Sequence, residues 1–190
     1  MPLQTDPLDL QRFKQKVMQS HAQLGIPLDY AQRCGLPLCP EPDALVDTEL
    51  DFYQRPQRLV AAACRSWGSM RTAASLDGVS LFLISAFRSL QYQHELIAAK
   101  LEKGLLIDQI LRVNAAPGFS EHHSGRALDL GTSGCDALVE EFENTDAFQW
   151  LQGNAVTYDF RLSFPRNHAS SIDYEPWHWC FHGSDQPHLQ

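Results

Sequence analysis

The chain has 190 residues and a formal net charge of −8 at pH 7, with 44% hydrophobic and 20% charged residues. A chain of this size and composition can bury a core and is typical of a globular domain. The acidic balance argues against a nucleic-acid partner, because phosphate binding needs a concentrated basic surface. No apolar run approaches the roughly 20 residues that cross a bilayer, so we expect no membrane span.

The N-terminus and the cysteines bear on the cellular compartment. The opening residues, MPLQTDP, contain neither a basic region nor an apolar stretch, so no signal peptide is visible. Five cysteines form an odd set without the spacing of a disulfide framework or a structural zinc site. Free thiols in a reducing compartment fit this pattern better than disulfides, and we expect a cytoplasmic protein.

Residues 1–55 are predicted to form a helix and a connector that pack on a domain of residues 56–190. Apolar residues recur at helical spacing over residues 10–24, with Asp6 as the cap and Gly25 as the stop. Prolines are then frequent and the periodicity is lost. The acidic residues of the connector lack calcium-loop spacing and are predicted to be a solvated face. These residues are Asp43, Asp47, Glu49 and Asp51.

Three helices and one strand are predicted between residues 56 and 113. A helix is predicted from about Pro56 to Ala74, because apolar residues share one helical face. The nearly continuous apolar run Val79–Ile84 is predicted to be a central strand covered on both faces. Ser89 is predicted to cap a helix that reaches about Lys103, and residues 105–113 form a further short helix.

The C-terminal half mixes strands with a helix. Residues 126–130 are predicted to be extended, and residues 145–155 to form a helix that Thr145 caps. Strands are expected at residues 160–164 and 177–181. Helices and short strands in this mixed order predict an α+β fold, in which helices pack on a small, mostly antiparallel sheet.

Two short motifs together predict a metal site. His122 and Asp129 lie seven residues apart, and the turn-forming residues 124–125 between them can fold His122 back toward Asp129. His178 supplies a third ligand. Two histidines and one aspartate leave the fourth tetrahedral position of zinc open for water, as in catalytic sites. His122 and Asp129 alone would more often be surface residues, but Glu175, three residues before His178, is suited to take a proton from that water.

Three separated blocks of the sequence resemble one family. The blocks are Ser120-x-His122-x-x-Gly-x-Ala-x-Asp129, Glu175-x-Trp-His178, and Ser85-Ala-Phe-Arg88-Ser with Gln93 following. They resemble the zinc D-alanyl-D-alanine carboxypeptidases of the VanY and VanX type. That family belongs to a wider group with the lysostaphin-like peptidases and the hedgehog signalling domain. The likeness covers roughly residues 56–183.

The resemblance implies the same α+β fold and a definite chemistry. The implied activity is a zinc metallopeptidase that uses metal-activated water to remove a C-terminal D-alanine from peptidoglycan-type peptides, with D,D- or L,D-specificity. Zn²⁺ is the implied cofactor, and a peptidoglycan-derived or D-Ala-D-Ala-ended peptide is the implied partner. Arg88 is the candidate clamp for a carboxylate or a developing oxyanion, because a guanidinium offers paired donors. Ser85, Gln93 and Ser120 are implied to line the substrate pocket.

Three alternatives stay open. A non-catalytic zinc domain could bind a cell-wall peptide or a protein partner, although Glu175 argues against it because a structural metal needs no base. A peptidoglycan endopeptidase is also consistent, although Arg88 and Gln93 favour recognition of a free carboxylate. Cys180, on the site side by strand parity, suggests a thiol peptidase, but no third orienting group is evident.

His123 directly follows His122 and is predicted to point away and be exposed.

Overall fold

The computed structural model describes residues 7–184 as a mixture of short helices and strands. The helices are α1 (Pro7–Leu24), α2 (Tyr30–Arg33), α3 (Ala61–Leu76), α4 (Leu90–Glu102), α5 (Ile107–Val113) and α6 (Asp146–Asn154). The strands are β1 (Val46–Asp47), β2 (Arg58–Leu59), β3 (Phe82–Ser85), β4 (Ala127–Gly131), β5 (Phe160–Leu162) and β6 (His178–Phe181). Short 3-10 helices cover Glu121–Ser124, Glu140–Asn144 and Ala155–Tyr158. The predicted α+β class is confirmed.

The main sheet has four antiparallel strands in the order β3-β4-β6-β5, and β1 pairs with β2 in a separate two-stranded sheet. One face of β4 sends Leu128 and Leu130 into the core, where Trp67 and Met70 of α3 are also fully buried. Burying each such side chain stabilises the fold by about 1.5–3 kcal/mol. Alternation along the strand turns Asp129 to the opposite face.

β3 lies at an edge of this sheet, so the prediction of a central strand over residues 79–84 is wrong. The loop that precedes β2 takes the place of a neighbouring strand. The Phe52 N–H donates to the Leu83 carbonyl at 2.8 Å, and Arg55 Nη2 donates to the Ile84 carbonyl at 3.0 Å. A continuous apolar run indicates burial of both faces of a strand, but it does not say what covers the strand's edge.

α3 begins at Ala61, five residues later than the helix predicted from Pro56. The intervening residues 58–59 pair with β1, and Val60 is still extended where it precedes the helix. The predicted end is close to the observed one, because the chain leaves α3 through Gly78 with a φ of +79°.

The other predicted helices are confirmed within a few residues. α1 ends just before Gly25, whose φ is +67°. The predicted Asp6 cap lies outside the described residues. Ser89 and Thr145 both accept a backbone N–H through their hydroxyl groups at the starts of α4 and α6, as N-caps do. No helix within residues 7–184 has both the length and the apolar character needed to cross a membrane.

Backbone contacts divide the described residues into two compact units. The first holds residues 7–41, 88–123 and 169–173, and the second holds residues 42–87, 124–168 and 174–184. Within the first, α1 packs on α4, and the Ser20 hydroxyl lies 2.9 Å from His94 Nδ1. The second unit contains both sheets together with α3 and α6. The predicted boundary at residue 55 stays a prediction.

Candidate active site

Three of the predicted site residues lie in one row across the main sheet. The register pairs Ser85 of β3 with Asp129 of β4, and Asp129 in turn with His178 of β6. His178 Nδ1 lies 3.1 Å from Asp129 Oδ1, and both side chains are almost completely buried. The hydrogen-bonded sheet therefore holds a carboxylate and an imidazole side by side.

A β-bulge at the end of β3 brings Ser85 opposite Asp129. Leu83 pairs with Leu130 and Ser85 with Asp129, so two steps along β3 match one step along β4. The extra residue is Ile84. Bulges of this kind bend a strand and redirect its side chains, and they are common next to active sites.

Asp51 fixes this end of β3 from a buried position. Its carboxylate accepts the backbone N–H groups of Tyr53 (2.8 Å) and Arg55 (2.9 Å), Arg55 Nε (2.7 Å) and Gln57 Nε2 (2.8 Å). Gln57 Oε1 accepts the N–H of Ala86 at 2.9 Å. The prediction that Asp51 belongs to a solvated face is wrong, because these four donors replace water around the carboxylate. The spacing of Asp51 from the other acidic residues does not indicate this role.

The three predicted metal ligands converge. His122 lies in the 3-10 helix Glu121–Ser124 and is buried, as are Asp129 and His178. One ligand atom from each of these three residues lies within 4.8 Å of the other two. These three residues could therefore hold a metal ion together, and their role as metal ligands stays a prediction.

The donor set fits zinc. Imidazole nitrogen and carboxylate oxygen are both common zinc donors. Zinc–ligand bonds of about 2.0–2.2 Å place adjacent ligand atoms roughly 3.3 Å apart. The 3.1 Å between His178 Nδ1 and Asp129 Oδ1 is close to that separation. Burial of two imidazoles with a carboxylate is also costly without a cation to compensate the negative charge.

Glu175 lies beside this cluster without belonging to it. Its Oε2 is 3.6 Å from His178 Nδ1, and the residue is 9% exposed. The N–H of Glu175 donates to the Phe164 carbonyl at 3.1 Å, and the N–H of His178 donates to the Glu175 carbonyl at 3.1 Å. The Phe164 ring packs 4.9 Å from the His178 ring. This turn places a carboxylate next to one of the three potential ligands.

His123 is completely buried, so the prediction that it is exposed is wrong. Its Nε2 accepts the N–H of Gly118 at 3.0 Å, and its Nδ1 lies 2.6 Å from the Arg88 carbonyl, to which a neutral ring donates. Burial lowers the pKa of His123 to about 4. Successive residues of a 3-10 helix do not alternate between two faces as in a strand, so both His122 and His123 can point inward.

The remaining predicted residues occupy buried or loop positions. The Arg88 N–H donates to the His122 carbonyl at 3.2 Å, which ties the loop after β3 to the turn that carries His122. Gln93 is buried, and its Nε2 donates to the Ala115 carbonyl at 2.9 Å. Ser120 is buried at the start of the same turn. The roles of Arg88, Gln93 and Ser120 toward a substrate stay predictions.

Sequence comparison finds a matching family and a similar curated protein. Residues 56–184 match the family described as VanY: D-alanyl-D-alanine carboxypeptidase. YodJ of Bacillus subtilis (strain 168), whose name assigns it as a carboxypeptidase, is 32% identical over 151 residues. The matched residues are 75% of this chain and 55% of YodJ, so the chain spans about half the length of this curated relative.

Solved structures share the fold. The LdcB LD-carboxypeptidase, whose structure addresses peptidoglycan recognition, superposes with a TM-score of 0.67 at 31% identity, covering 77% of this chain and 72% of LdcB. A vancomycin-resistance D,D-pentapeptidase, VanY, in complex with Zn(II) gives a TM-score of 0.58 at 24% identity. That match covers 76% of this chain and 83% of the other, and it is a likeness of fold.

Proposed function

The chain belongs to the VanY D-alanyl-D-alanine carboxypeptidase family, and we propose that it is a zinc peptidase that removes a C-terminal D-alanine from peptidoglycan-type peptides. The observation that carries the proposal is the convergence of His122, Asp129 and His178, with Glu175 beside His178. Three protein ligands leave one tetrahedral position open, which distinguishes catalytic from structural zinc. When bound, zinc supplies the acidity that makes water a nucleophile near neutral pH.

The protein's part is to hold the ligands in place. Asp129 and His178 project from paired strands, so the sheet's hydrogen bonds fix their backbones. The Phe164 ring packs against the His178 ring and restricts its rotation. A site whose side chains are already ordered does not need to reorganise when the metal and the substrate bind.

Glu175 moves the proton in this proposal. It takes the proton from the attacking water and returns it to the amine of the departing D-alanine. Its carboxylate lies 3.6 Å from the ring nitrogen of His178, which is close enough to reach a group held by the ligands without displacing one of them. A purely structural metal site would need no such neighbour, and this favours an enzyme over a non-catalytic zinc domain.

Arg88 holds the free C-terminal carboxylate of the substrate in this proposal. It follows the bulged strand by three residues, and its backbone is bonded to the carbonyl of His122. A guanidinium makes two parallel hydrogen bonds to a carboxylate, so it both binds and orients the terminal residue. This role favours a carboxypeptidase, with D,D- or L,D-specificity, over a peptidase that cuts internal bonds.

The zinc assignment is tested by elemental analysis after mild dialysis. We expect wild-type protein to retain zinc and to release D-alanine from peptides that end in D-Ala-D-Ala, as read by mass. His122→Ala should lose both zinc and activity. The exposed His182 offers a matched control, because His182→Ala removes an imidazole outside the cluster. Equal zinc in the wild type and in His122→Ala would contradict the assignment.

A further inference from the structure

Three aromatic rings cluster at the start of β3 and are here called the aromatic shelf: the exposed Phe52 and Tyr53 and the half-buried Phe82. Phe52 is 56% exposed and Tyr53 54% exposed. The Phe52 and Phe82 rings stack with centroids 5.5 Å apart, and the Tyr53 ring meets Phe52 edge-on at 5.3 Å. Single exposed apolar residues are ordinary on a protein surface, whereas adjoining exposed rings mark a binding surface.

The shelf is held from beneath by the buried carboxylate of Asp51. Asp51 accepts the N–H of Tyr53, and the N–H of Phe52 donates to the carbonyl of Leu83. The guanidinium carbon of Arg55, itself bonded to Asp51, lies 5.1 Å from the centre of the Tyr53 ring. Rings ordered in this way lose little conformational freedom when a ligand covers them, which favours binding.

The shelf continues the sheet face that carries Asp129. Gly131 lies two residues beyond Asp129 on β4, about 7 Å along the strand, and on the same face. It pairs with Phe82 of β3. A Cβ at Gly131 would come 3.0 Å from Ile84 Cδ1, so the glycine lets Ile84 lie flat over β4. The shelf rings, Ile84 and Gly131 line one side of a surface pocket of about 140 Å³, and Thr132, Cys135, Asp136 and Ala137 complete its lining.

Chain direction tells which end of a substrate reaches the shelf. Along β3, Phe82 comes first, Ser85 opposite Asp129 comes next, and Arg88 follows the strand. With the terminal carboxylate at Arg88, as proposed above, the amino side of the peptide extends from Asp129 toward Phe82. An extended peptide advances about 3.3–3.6 Å per residue, so 7 Å corresponds to about two residues.

We propose that the aromatic shelf is a specificity subsite for an apolar side chain about two residues before the one whose carbonyl is attacked. The inference rests on the proposed carboxypeptidase function and extends it to the substrate's amino side. The rings of Phe52 and Tyr53 offer an apolar surface, and the adjoining Ile84 adds an aliphatic wall. The enzyme therefore selects longer peptides with an apolar residue at that position over short or polar ones.

Two synthetic peptides test the subsite, acetyl-Leu-Ala-D-Ala-D-Ala and acetyl-Ser-Ala-D-Ala-D-Ala. They share the cleaved end and differ only at the residue expected to meet the shelf. We expect kcat/KM of the zinc-loaded wild type to be roughly 10-fold higher for the leucine peptide. In Phe52→Ala and in Tyr53→Ala the ratio should fall toward one through a raised KM. Leu76→Ala, which truncates an 83% exposed leucine at the end of α3, should keep the ratio.

Binding of the cleaved products provides a readout that does not depend on catalysis. Titration calorimetry of metal-free protein with acetyl-Leu-Ala-D-Ala and acetyl-Ser-Ala-D-Ala should show tighter binding of the leucine product to the wild type. Phe52→Ala should remove the difference. A wild type that cleaves both substrates at equal efficiency overturns the subsite and leaves the carboxypeptidase proposal standing. Absence of any cleavage counts against D,D-specificity, and then equal binding of the two products overturns the subsite as well.

Discussion

Asp51 and Asp129 are both buried carboxylates near the bulged strand, yet their surroundings differ in kind. Asp51 accepts four hydrogen bonds from N–H donors of its own loop. Asp129 instead faces the imidazole of His178 at 3.1 Å and belongs to a cluster of three potential metal ligands. A carboxylate surrounded by donors fixes the backbone, whereas one placed among imidazoles is suited to bind a cation. Removal of the Asp129 carboxylate should therefore affect metal binding, whereas removal of the Asp51 carboxylate should affect the stability of the fold.

The largest expected effect is on activity, from Asp129→Ala. The substitution removes one ligand from the cluster, so zinc should be lost on dialysis and release of D-alanine should fall to background. The unfolding midpoint in urea should change less than it does on removal of Asp51, because Ala127 and Leu128 maintain the packing of β4. A zinc content equal to that of the wild type would show that Asp129 is not a ligand.

Glu175→Gln should lower kcat by about 10²–10⁴-fold while zinc stays bound. Glutamine keeps the shape of the side chain but cannot take a proton from water. Parallel zinc analysis is the control, since it separates loss of the base from loss of the metal. A rate near that of the wild type would show that Glu175 is not the base and has no catalytic role.

Asp51→Ala should destabilise the fold by about 3 kcal/mol, because several N–H donors in the buried loop lose their acceptor together. The free energy of unfolding in urea measures this change. Asp47→Ala, which truncates an exposed carboxylate of β1, is the matched control and should alter stability by less than about 0.5 kcal/mol. Equal effects of the two substitutions would mean that Asp51 does not hold the loop.

The difference between the two carboxylates also explains what the sequence could predict. A short turn separates His122 from Asp129, and paired strands bring His178 beside Asp129. The prediction that groups the three residues therefore depends on several separated motifs and on their resemblance to one family, because His178 is distant in the sequence. The role of Asp51 depends on which element covers the edge of β3, and hydrophobic pattern does not report strand neighbours. The same limit made β3 look like a central strand.

The burial of His123 could not be predicted for a different reason. The prediction assumed that adjacent side chains point in opposite directions, whereas this segment forms a 3-10 helix, where adjacent side chains point about 120° apart. Nothing in the residue types of this segment separated the two conformations. The ring of His123 is consequently placed to bridge Gly118 and the carbonyl of Arg88, and this fixes the backbone beside the ligand turn.

The smallest expected effect concerns Arg88, and it decides between an exopeptidase and an endopeptidase. If the guanidinium holds the terminal carboxylate, amidating a peptide that ends in D-Ala-D-Ala removes the charge-assisted pair and leaves the scissile bond intact. Such a bond contributes about 1.5–3 kcal/mol, so cleavage of the amide should be roughly 10–100-fold slower.

Variants of Arg88 sharpen the test. Arg88→Ala should abolish the contrast between acid and amide, because neither substrate then meets a clamp. Arg88→Lys should restore it only in part, since an ammonium cannot reproduce the planar two-point contact. Arg65→Ala, which removes an exposed arginine of α3, should leave the contrast unchanged. Cleavage of the free acid and the amide at matching rates by the wild type would identify a peptidase of internal bonds, because such an enzyme makes no contact that requires a free C-terminal carboxylate.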